Sequence, residues 1–382
     1  MTTLTGARVV TPEGVLEPGW VSVEGPTIAA VGRGVAPAAG VTLDDHWVLP
    51  GFVDLHVHGG GGASMLSKEP DEITTAAEFH RRHGTTTTLA SLVTAPVDVM
   101  ASAAAAVATA AERNDGIAGC HLEGPFLTHS RCGAQDPRHL LAPDIAVLAS
   151  LLDAGRATVR MITVAPELPG GLDIVREAAA RGVVAAIGHT DATYDEAVAA
   201  IDAGASVATH LCNAMRPLHH REPGAAGAAL RDERVVCELI NDGAHVHHAM
   251  VATVFGAARD RVALITDAIP AAGMGDGRHR LGDRHVDVFD GIARLCEGGA
   301  LAGSTLTMDH AVRRAVHDVG LSIEAVAAAA ATTPARVLGL DRRTGRIAAG
   351  LAADLVVLDP ELTVVAVMAR GQWVHGGDAL AG

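Results

Sequence analysis

Two histidines separated by one residue stand at the end of the first long apolar segment. They are His56 and His58, in the run Asp-Leu-His-Val-His that begins at Asp54. Alternate side chains of a strand share a face, so both imidazoles point to the same side and can bind one divalent ion. The glycines at 59–62 let backbone approach a ligand closely. The pair predicts a metal site, although a lone His-x-His is weak evidence.

Other apolar segments also end on side chains that can bind a metal or move a proton. They contribute His121, Glu123, His189, His210 and Asp267. An unpaired carboxylate inside a folded core is costly, so Glu123 requires a cation. A single histidine at a strand end is usually structural, but the whole set is hard to explain as independent coincidences. We therefore predict a metal-dependent hydrolase rather than a barrel that acts only as a binding scaffold.

These side chains need a framework that brings strand ends together. Eight strand candidates are 52–58, 85–93, 117–123, 158–165, 183–189, 206–211, 235–241 and 262–267. Helical stretches alternate with them, for example 71–83, 97–113, 172–181 and 194–203. Eight such repeats predict an α/β fold, a (β/α)8 TIM-type barrel, whose functional residues gather at the carboxyl ends of the strands. A doubly wound sheet would alternate too, but its Gly-x-Gly-x-x-Gly turn does not follow the first strand candidate.

Both ends of the chain show short strand-like pieces with glycine and proline and without a helical period. We expect residues 1–50 and 346–382 to form one small domain, and residues 51–345 to form the catalytic barrel. The long glycine-rich segment 268–307 is predicted to cover the barrel mouth.

Composition excludes several classes of function. The chain has 382 residues, with 29 basic against 44 acidic side chains, a net charge of −15 and only 2% aromatic residues, which disfavours nucleic acid as a partner. The apolar alanine-rich tracts are shorter than the ~20 residues of a membrane span, and no secretory signal pattern stands at the start. The five cysteines are widely spaced, without a Cys-x-x-Cys pair. We expect a soluble cytoplasmic protein without a membrane partner.

The motifs resemble the amidohydrolase superfamily and, within it, the N-acetylglucosamine-6-phosphate deacetylases. The resemblance covers nearly the whole chain and rests on these runs: PGFVDLHVHG at 50–59, HLEGPF at 121–126, IGHT at 187–190, THLCNAM at 209–215, REP at 221–223, DGAH at 242–245, TDA at 266–268 and LAGS at 301–304. It implies a barrel with a small β-sandwich domain formed by both termini, and a homodimer. The implied reaction hydrolyses the acetamide of N-acetylglucosamine 6-phosphate, in amino-sugar catabolism and cell-wall sugar recycling.

The resemblance also implies roles for individual residues. Glu123, His189 and His210 become ligands of the principal metal, and His56 and His58 could hold a second ion bridged by Glu123. Asp267 becomes the general base, a phosphosugar is the substrate, and Arg221 could reach the site of a neighbouring subunit. The residues implied to bind substrate are Gly124, Gln135, Asn213, the backbone of Ala214, Arg221 and His245.

Two features refine this assignment. Many binuclear amidohydrolases bridge their metals with a carboxylated lysine on the fourth strand, but the only lysine here is Lys68, just after the first strand candidate. Glu123 must therefore do the bridging. Gln135 stands where the family often has a histidine that touches the substrate carbonyl, and glutamine cannot supply a charge. For Cys132 two alternatives stay open, an inert loop thiol and a residue that lines the pocket.

Several alternatives stay open from the sequence. The substrate could be N-acetylgalactosamine 6-phosphate or an N-acyl amino acid, because Arg221 and His245 favour a phosphate without fixing the sugar stereochemistry. One or two divalent ions per subunit are expected. Zinc is the first choice and iron(II) an alternative, since both accept histidine and carboxylate ligands.

Overall fold

The computed structural model describes residues 2–380 of the chain. Its strands, in chain order, are β1 Thr2–Thr11, β2 Gly14–Glu24, β3 Thr27–Arg33, β4 Val41–Thr42, β5 Trp47–Pro50, β6 Phe52–Val57, β7 Gly59–Gly60, β8 Ala63–Ser64, β9 Thr85–Leu92, β10 Ile117–Glu123, β11 Val159–Val164, β12 Val184–Ile187, β13 Ala205–Ala208, β14 Val236–Ile240, β15 Val262–Ile265, β16 Gly277–Leu281, β17 Arg284–Phe289, β18 Ile292–Leu295, β19 Leu355–Leu358, β20 Val364–Ala369 and β21 Gln372–His375. The helices are α1 Pro70–Arg82, α2 Val97–Arg113, α3 Ile145–Ala154, α4 Gly171–Ala180, α5 Tyr194–Asp202, α6 Gly224–Arg231, α7 His248–Ala258, α8 Met308–His317, α9 Ile323–Ala327 and α10 Thr333–Val337.

The eight predicted barrel strands all form. They hydrogen-bond in the order β15-β14-β13-β12-β11-β10-β9-β6, and the pairs from β9 to β15 are parallel. A parallel bridge between Val57 and Ala268 links the end of β6 to the chain after β15. This nearly closed parallel sheet with its helices confirms the predicted TIM-type barrel.

The barrel strands are buried almost throughout because both of their faces are covered. Every residue of β6, β9 and β15 is buried, as expected for parallel strands that carry helices on one side and a core on the other.

Capping side chains mark the residues at which several helices begin. Thr193 and Glu196 form a capping box at the start of α5, and the Asp144 side chain accepts two backbone N–H groups at the start of α3.

Strands from both ends of the chain form one further sheet of eight strands. Its order is β21-β20-β19-β5-β1-β2-β3, with β4 paired to β1. Apolar side chains from both ends meet in one buried cluster that includes Leu4, Val21, Val48, Leu355 and Met368. The predicted β-domain made from both termini is therefore confirmed, with hydrogen bonds joining its strands into a single sheet.

The glycine-rich segment after β15 contains three antiparallel strands, β16 to β18. Burial alternates along β17, where Val286 and Val288 are buried and their neighbours are not. These valines pack with Val93, Ile269 and Leu281 in an apolar cluster of their own. Because Leu281 also lines the cavity described below, this segment borders the barrel mouth.

The Cα positions divide the chain into two compact units. One contains residues up to 54, 78–87 and those from 307 onwards, and the other contains residues 55–77 and 88–306. The domain boundaries expected at 50/51 and 345/346 stay a prediction.

No helix within residues 2–380 is both long and apolar enough to cross a membrane.

Candidate metal centre

The side chains singled out by their types lie near the ends of the barrel strands or just past them. Glu123 is the last residue of β10, and His58 follows β6. His189, His210 and Asp267 each stand two residues beyond the end of β12, β13 and β15. β12, β13 and β15 therefore end two or three residues earlier than the sequence predicted, and His189, His210 and Asp267 belong to the turns that follow.

The three turn residues share an uncommon backbone conformation. The φ angles of His189, His210 and Asp267 are 48°, 29° and 49°, in the left-handed region that side chains other than glycine rarely adopt. Such strain, of about 1–3 kcal/mol per residue, persists where the surrounding structure imposes it, and it concentrates at functional sites. Periodicity and composition carry no signal for it, so the sequence did not predict it.

One group of possible metal ligands consists of Glu123, His189 and His210, all buried. The Nε2 atoms of both histidines lie 3.0 Å from Glu123 Oε1. The two Nε2 atoms are 3.2 Å from each other. Three donor atoms therefore converge on one point, as a bound cation requires.

A second group consists of His56, His58 and Asp267, also buried. The two histidine Nε2 atoms are 3.0 Å apart, and Asp267 Oδ1 lies 3.6 Å from His56 Nε2 and 3.2 Å from His58 Nε2. Glu123 reaches this group as well, with Oε1 3.4 Å from His56 Nε2 and Oε2 3.3 Å from His58 Nε2. Glu123 thus lies between the two groups, where a bridging ligand would be needed.

The Nδ1 atoms of His58 and His189 make hydrogen bonds that suit these two residues to metal binding through Nε2. Nδ1 of His58 lies 3.0 Å from the Ser91 carbonyl oxygen, and Nδ1 of His189 lies 2.9 Å from the Arg131 carbonyl oxygen. A carbonyl can only accept, so in each ring Nδ1 carries a proton and Nε2 is the nitrogen that can offer a lone pair to a metal. Rings fixed in this way by outer hydrogen bonds are typical of metal ligands.

The charges of the centre also fit a cation. Burial raises the pKa of Glu123, but His56 and His189 outweigh that effect and hold the pKa well below the usual range. Asp267 behaves likewise, held low by His56 and His58 against the effect of burial. Burial lowers the pKa of His58, but hydrogen bonds with Asp267 and Glu123 raise it to about 9. Two carboxylates thus stay ionised in a buried site, and they favour protonation of His56 and His58 beside them. A divalent ion would take the place of those protons.

His121 has a different place from the one that its strand position suggested. Its Nδ1 lies 3.0 Å from Ser91 Oγ and its Nε2 lies 2.8 Å from Thr163 Oγ1, and it belongs to neither ligand group. Burial and the neighbouring His56 lower its pKa well below the usual value. His121 is therefore a neutral histidine held by hydroxyl groups beneath the centre.

A cavity of about 250 Å³ opens above the metal ligands. Asn213, Ala214, Gln135 and His245 line it together with Glu123, His189, His210 and Asp267. Four of the residues predicted to bind substrate therefore meet the catalytic candidates in one space. Among the described residues that line this cavity, none is an arginine or a lysine.

His245 is held in the cavity wall by a residue that the sequence analysis did not assign. Its Nδ1 donates to Asp242 Oδ2 at 2.7 Å, and Asp242 Oδ1 accepts the backbone N–H groups of Ala244 and His245. Burial lowers the pKa of His245, but Asp242 outweighs burial and raises it. In the sequence, the signal for this contact was Asp242 of the DGAH run, which stands three residues before His245.

Gln135 faces the metal ligands rather than open space. Its Nε2 donates to Glu123 Oε2, and its Oε1 accepts the Thr94 backbone N–H at 2.7 Å. Both the nitrogen and the oxygen of the Gln135 side-chain amide thus make hydrogen bonds within the protein. The substrate-binding role expected of Gln135 stays a prediction.

Two predicted substrate residues do not line the cavity. Gly124 is buried with φ of 98°, and a Cβ there would overlap Thr94 Oγ1, so this position requires glycine for the close approach of the chain. Arg221 is exposed, and its guanidinium donates to His220 Nε2 at 2.8 Å. Arg221 is thus not among the described residues that line the cavity, and its role in substrate binding stays a prediction.

Comparisons with known proteins bear on this centre. Residues 47–374 match the Amidohydrolase family. The chain is 37% identical over 372 residues to the N-acetylgalactosamine-6-phosphate deacetylase of Escherichia coli O157:H7, covering 97% of this chain and 98% of the relative. It is 34% identical to the N-acetylglucosamine-6-phosphate deacetylase of Vibrio furnissii, covering 92% and 89%.

A solved structure is similar over the whole fold. It is the N-acetyl-D-glucosamine-6-phosphate deacetylase of Mycobacterium smegmatis, an aspartate-to-alanine mutant in complex with N-acetyl-D-glucosamine-6-phosphate. The TM-score is 0.94 at 45% sequence identity, covering 98% of this chain and 99% of the other. The family match over residues 47–374 and the relatives that cover nearly the whole chain show that the chain belongs to the amidohydrolase family.

Proposed function

We propose that this protein is a divalent-metal-dependent deacetylase that converts N-acetylglucosamine 6-phosphate to glucosamine 6-phosphate and acetate. The observation that carries this proposal is the position of Glu123 between two groups of ligands, with Asp267 in contact with one of them. The relatives named above act on acetylated amino-sugar phosphates, and the resemblance extends over nearly their full length.

In the proposed reaction Asp267 moves the proton. A divalent ion, when bound, lowers the pKa of its water from about 15.7 to about 7 and polarises a carbonyl oxygen. Asp267 is ionised and lies at the base of the cavity, so its Oδ1 can accept a proton from the attacking water. The same carboxyl group then returns the proton to the amine as the C–N bond breaks.

We assign the remaining cavity residues to substrate binding. Asn213 and the Ala214 backbone lie in the turn after His210, which brings polar groups to the cavity wall. His245, whose pKa is raised by Asp242, would face the phosphate. We further propose that Arg221 supplies the second cation from the neighbouring subunit of a homodimer, because the described cavity lacks an arginine of its own.

Acetate release from three compounds tests the proposal. The purified protein should release acetate from N-acetylglucosamine 6-phosphate faster than from N-acetylgalactosamine 6-phosphate, and should leave an N-acetyl amino acid nearly unchanged. The galactosamine substrate is the second candidate, because that relative matches 97% of the chain. A higher kcat/KM for the galactosamine compound would replace the proposed substrate with its C4 epimer.

Metal identity, assembly and location complete the proposal. We propose zinc, with one or two ions per chain, because it suits histidine and carboxylate ligands; iron(II) would suit them too. Metal analysis of the purified protein decides between the two. We also propose a homodimer, measurable by light scattering, and a cytoplasmic location.

Replacing Arg221 by Ala should raise KM for N-acetylglucosamine 6-phosphate by about 10- to 100-fold, from the ~1.5–3 kcal/mol of a hydrogen bond to a charged group. KM for unphosphorylated N-acetylglucosamine should stay unchanged. The exposed Arg342→Ala provides the matched control. Equal effects on both sugars would contradict the phosphate role. A mixed dimer of Arg221→Ala and Asp267→Asn chains should regain activity only if Arg221 acts across subunits.

A further inference from the structure

A carboxylate deep in the barrel contacts both groups of metal ligands. Glu238 lies on β14 and its side chain is fully buried. Its Oε2 accepts from Nδ1 of His56, at 3.2 Å, and from the backbone N–H of His210, also at 3.2 Å. One oxygen atom thus holds a ligand ring of one group and the main chain that carries a ligand of the other.

The backbone of Glu238 supports the same turn. Its carbonyl oxygen accepts the N–H of Leu211 at 2.8 Å. His210, the residue before Leu211, has the left-handed φ of 29° described above. Two successive N–H groups of a strained turn are therefore held by one residue, through its side chain and its main chain.

The second carboxylate oxygen of Glu238 has no hydrogen-bond partner among the described residues. Burying a carboxylate with an unpaired oxygen costs stability, so a residue that served only to stabilise the barrel could be apolar here. Apolar residues surround it on the strand, Val236, Cys237, Leu239 and Ile240. In the sequence, Glu238 can be recognised as a single carboxylate within an apolar strand, which is also the feature that identified Glu123.

We propose that Glu238 is a positioning residue that orients His56 and His210 together and so couples the two halves of the metal centre. Because its carboxylate accepts from His56 Nδ1, the lone pair of His56 is kept on Nε2, the atom that faces His58 and Glu123. Because it holds the His210 backbone, the ring of His210 stays directed at Glu123 Oε1. This inference rests on the proposed metal dependence and is independent of which sugar is the substrate.

Zinc titration of the metal-depleted protein tests this role without measuring activity. Glu238→Met, close to glutamate in shape but without an acceptor, should lower zinc affinity by about 10- to 100-fold, the usual cost of losing an outer partner of a ligand. Glu238→Gln keeps a carbonyl oxygen for both donors and should stay within about threefold of the wild type. Should the methionine variant not fold, Glu238→Asp draws the carboxylate away from both donors, and the same loss is expected.

Asp354→Asn is the matched control for a role in folding alone. Asp354 is a buried carboxylate that accepts from Thr344 Oγ1 and the Arg370 N–H, and it belongs to the unit without the metal ligands. Its substitution should lower the thermal unfolding temperature and leave zinc affinity unchanged. Wild-type zinc affinity in Glu238→Met would overturn the inference while the proposed function stands. If the wild-type protein bound no divalent metal, the proposed function itself would fail.

Discussion

The Asp267→Asn protein should retain the ion held by Glu123, His189 and His210 and should release acetate about 10²- to 10⁴-fold more slowly than the wild type. That range is the usual contribution of a general acid–base group. Asparagine has nearly the shape of aspartate and can keep contact with His56 and His58, but it cannot accept the proton of the attacking water. The loss should therefore fall on kcat, with KM little changed.

Acetate release under saturating substrate, measured beside the metal content of the same sample, checks this result. Asp290→Asn makes the same chemical change at an exposed turn and should leave both quantities unchanged. Activity close to the wild type in Asp267→Asn would show that another group moves the proton. If the variant lost both the metal and the activity, the main role of Asp267 would be that of a metal ligand and not that of the general base.

The second large effect is expected at Glu123. Glu123→Gln should lower zinc affinity by more than the ~10- to 100-fold that an outer partner costs, because this carboxylate contacts the histidines of both groups. An amide is a weak ligand, and without the negative charge of Glu123 the centre attracts a cation less strongly. Acetate release should fall to the background rate.

Metal content after dialysis and circular dichroism together check this prediction. The far-ultraviolet spectrum should match that of the wild type, since the barrel strands do not depend on the glutamate charge. Glu361→Gln, at an exposed loop, is the matched control. Normal metal content in Glu123→Gln would show that the histidines suffice, and that the bridging role is wrong.

The sequence predicted the barrel and most of the centre because both depend on local patterns. Apolar runs that alternate with helical stretches specify the strands, and polar residues at the run ends mark the edge where functional groups gather. Glu123 was identifiable because an isolated carboxylate in a buried strand requires a partner. The same argument applies to Glu238, but Glu238 lies inside its strand and not at the end where functional groups are expected.

The remaining features depend on contacts between distant segments. The link from Gln135 to Glu123 joins a loop to a strand end, and nothing in either segment specifies that distance. The role of His121 depends on Ser91 and Thr163, two hydroxyl residues from neighbouring strands. Arg221 is exposed and is not among the described residues that line the cavity, so its proposed role depends on the proposed homodimer.

The left-handed turns at His189, His210 and Asp267 limit how this protein can be made more heat-resistant. Glycine is the residue that relieves such a conformation, and at each of these positions it would remove the side chain that the centre needs. Substitutions that raise stability often reduce activity where a site depends on strain. Selection for thermostability alone should therefore favour changes in these turns that abolish turnover, whereas useful stabilising changes should be sought in the sheet formed by the two termini.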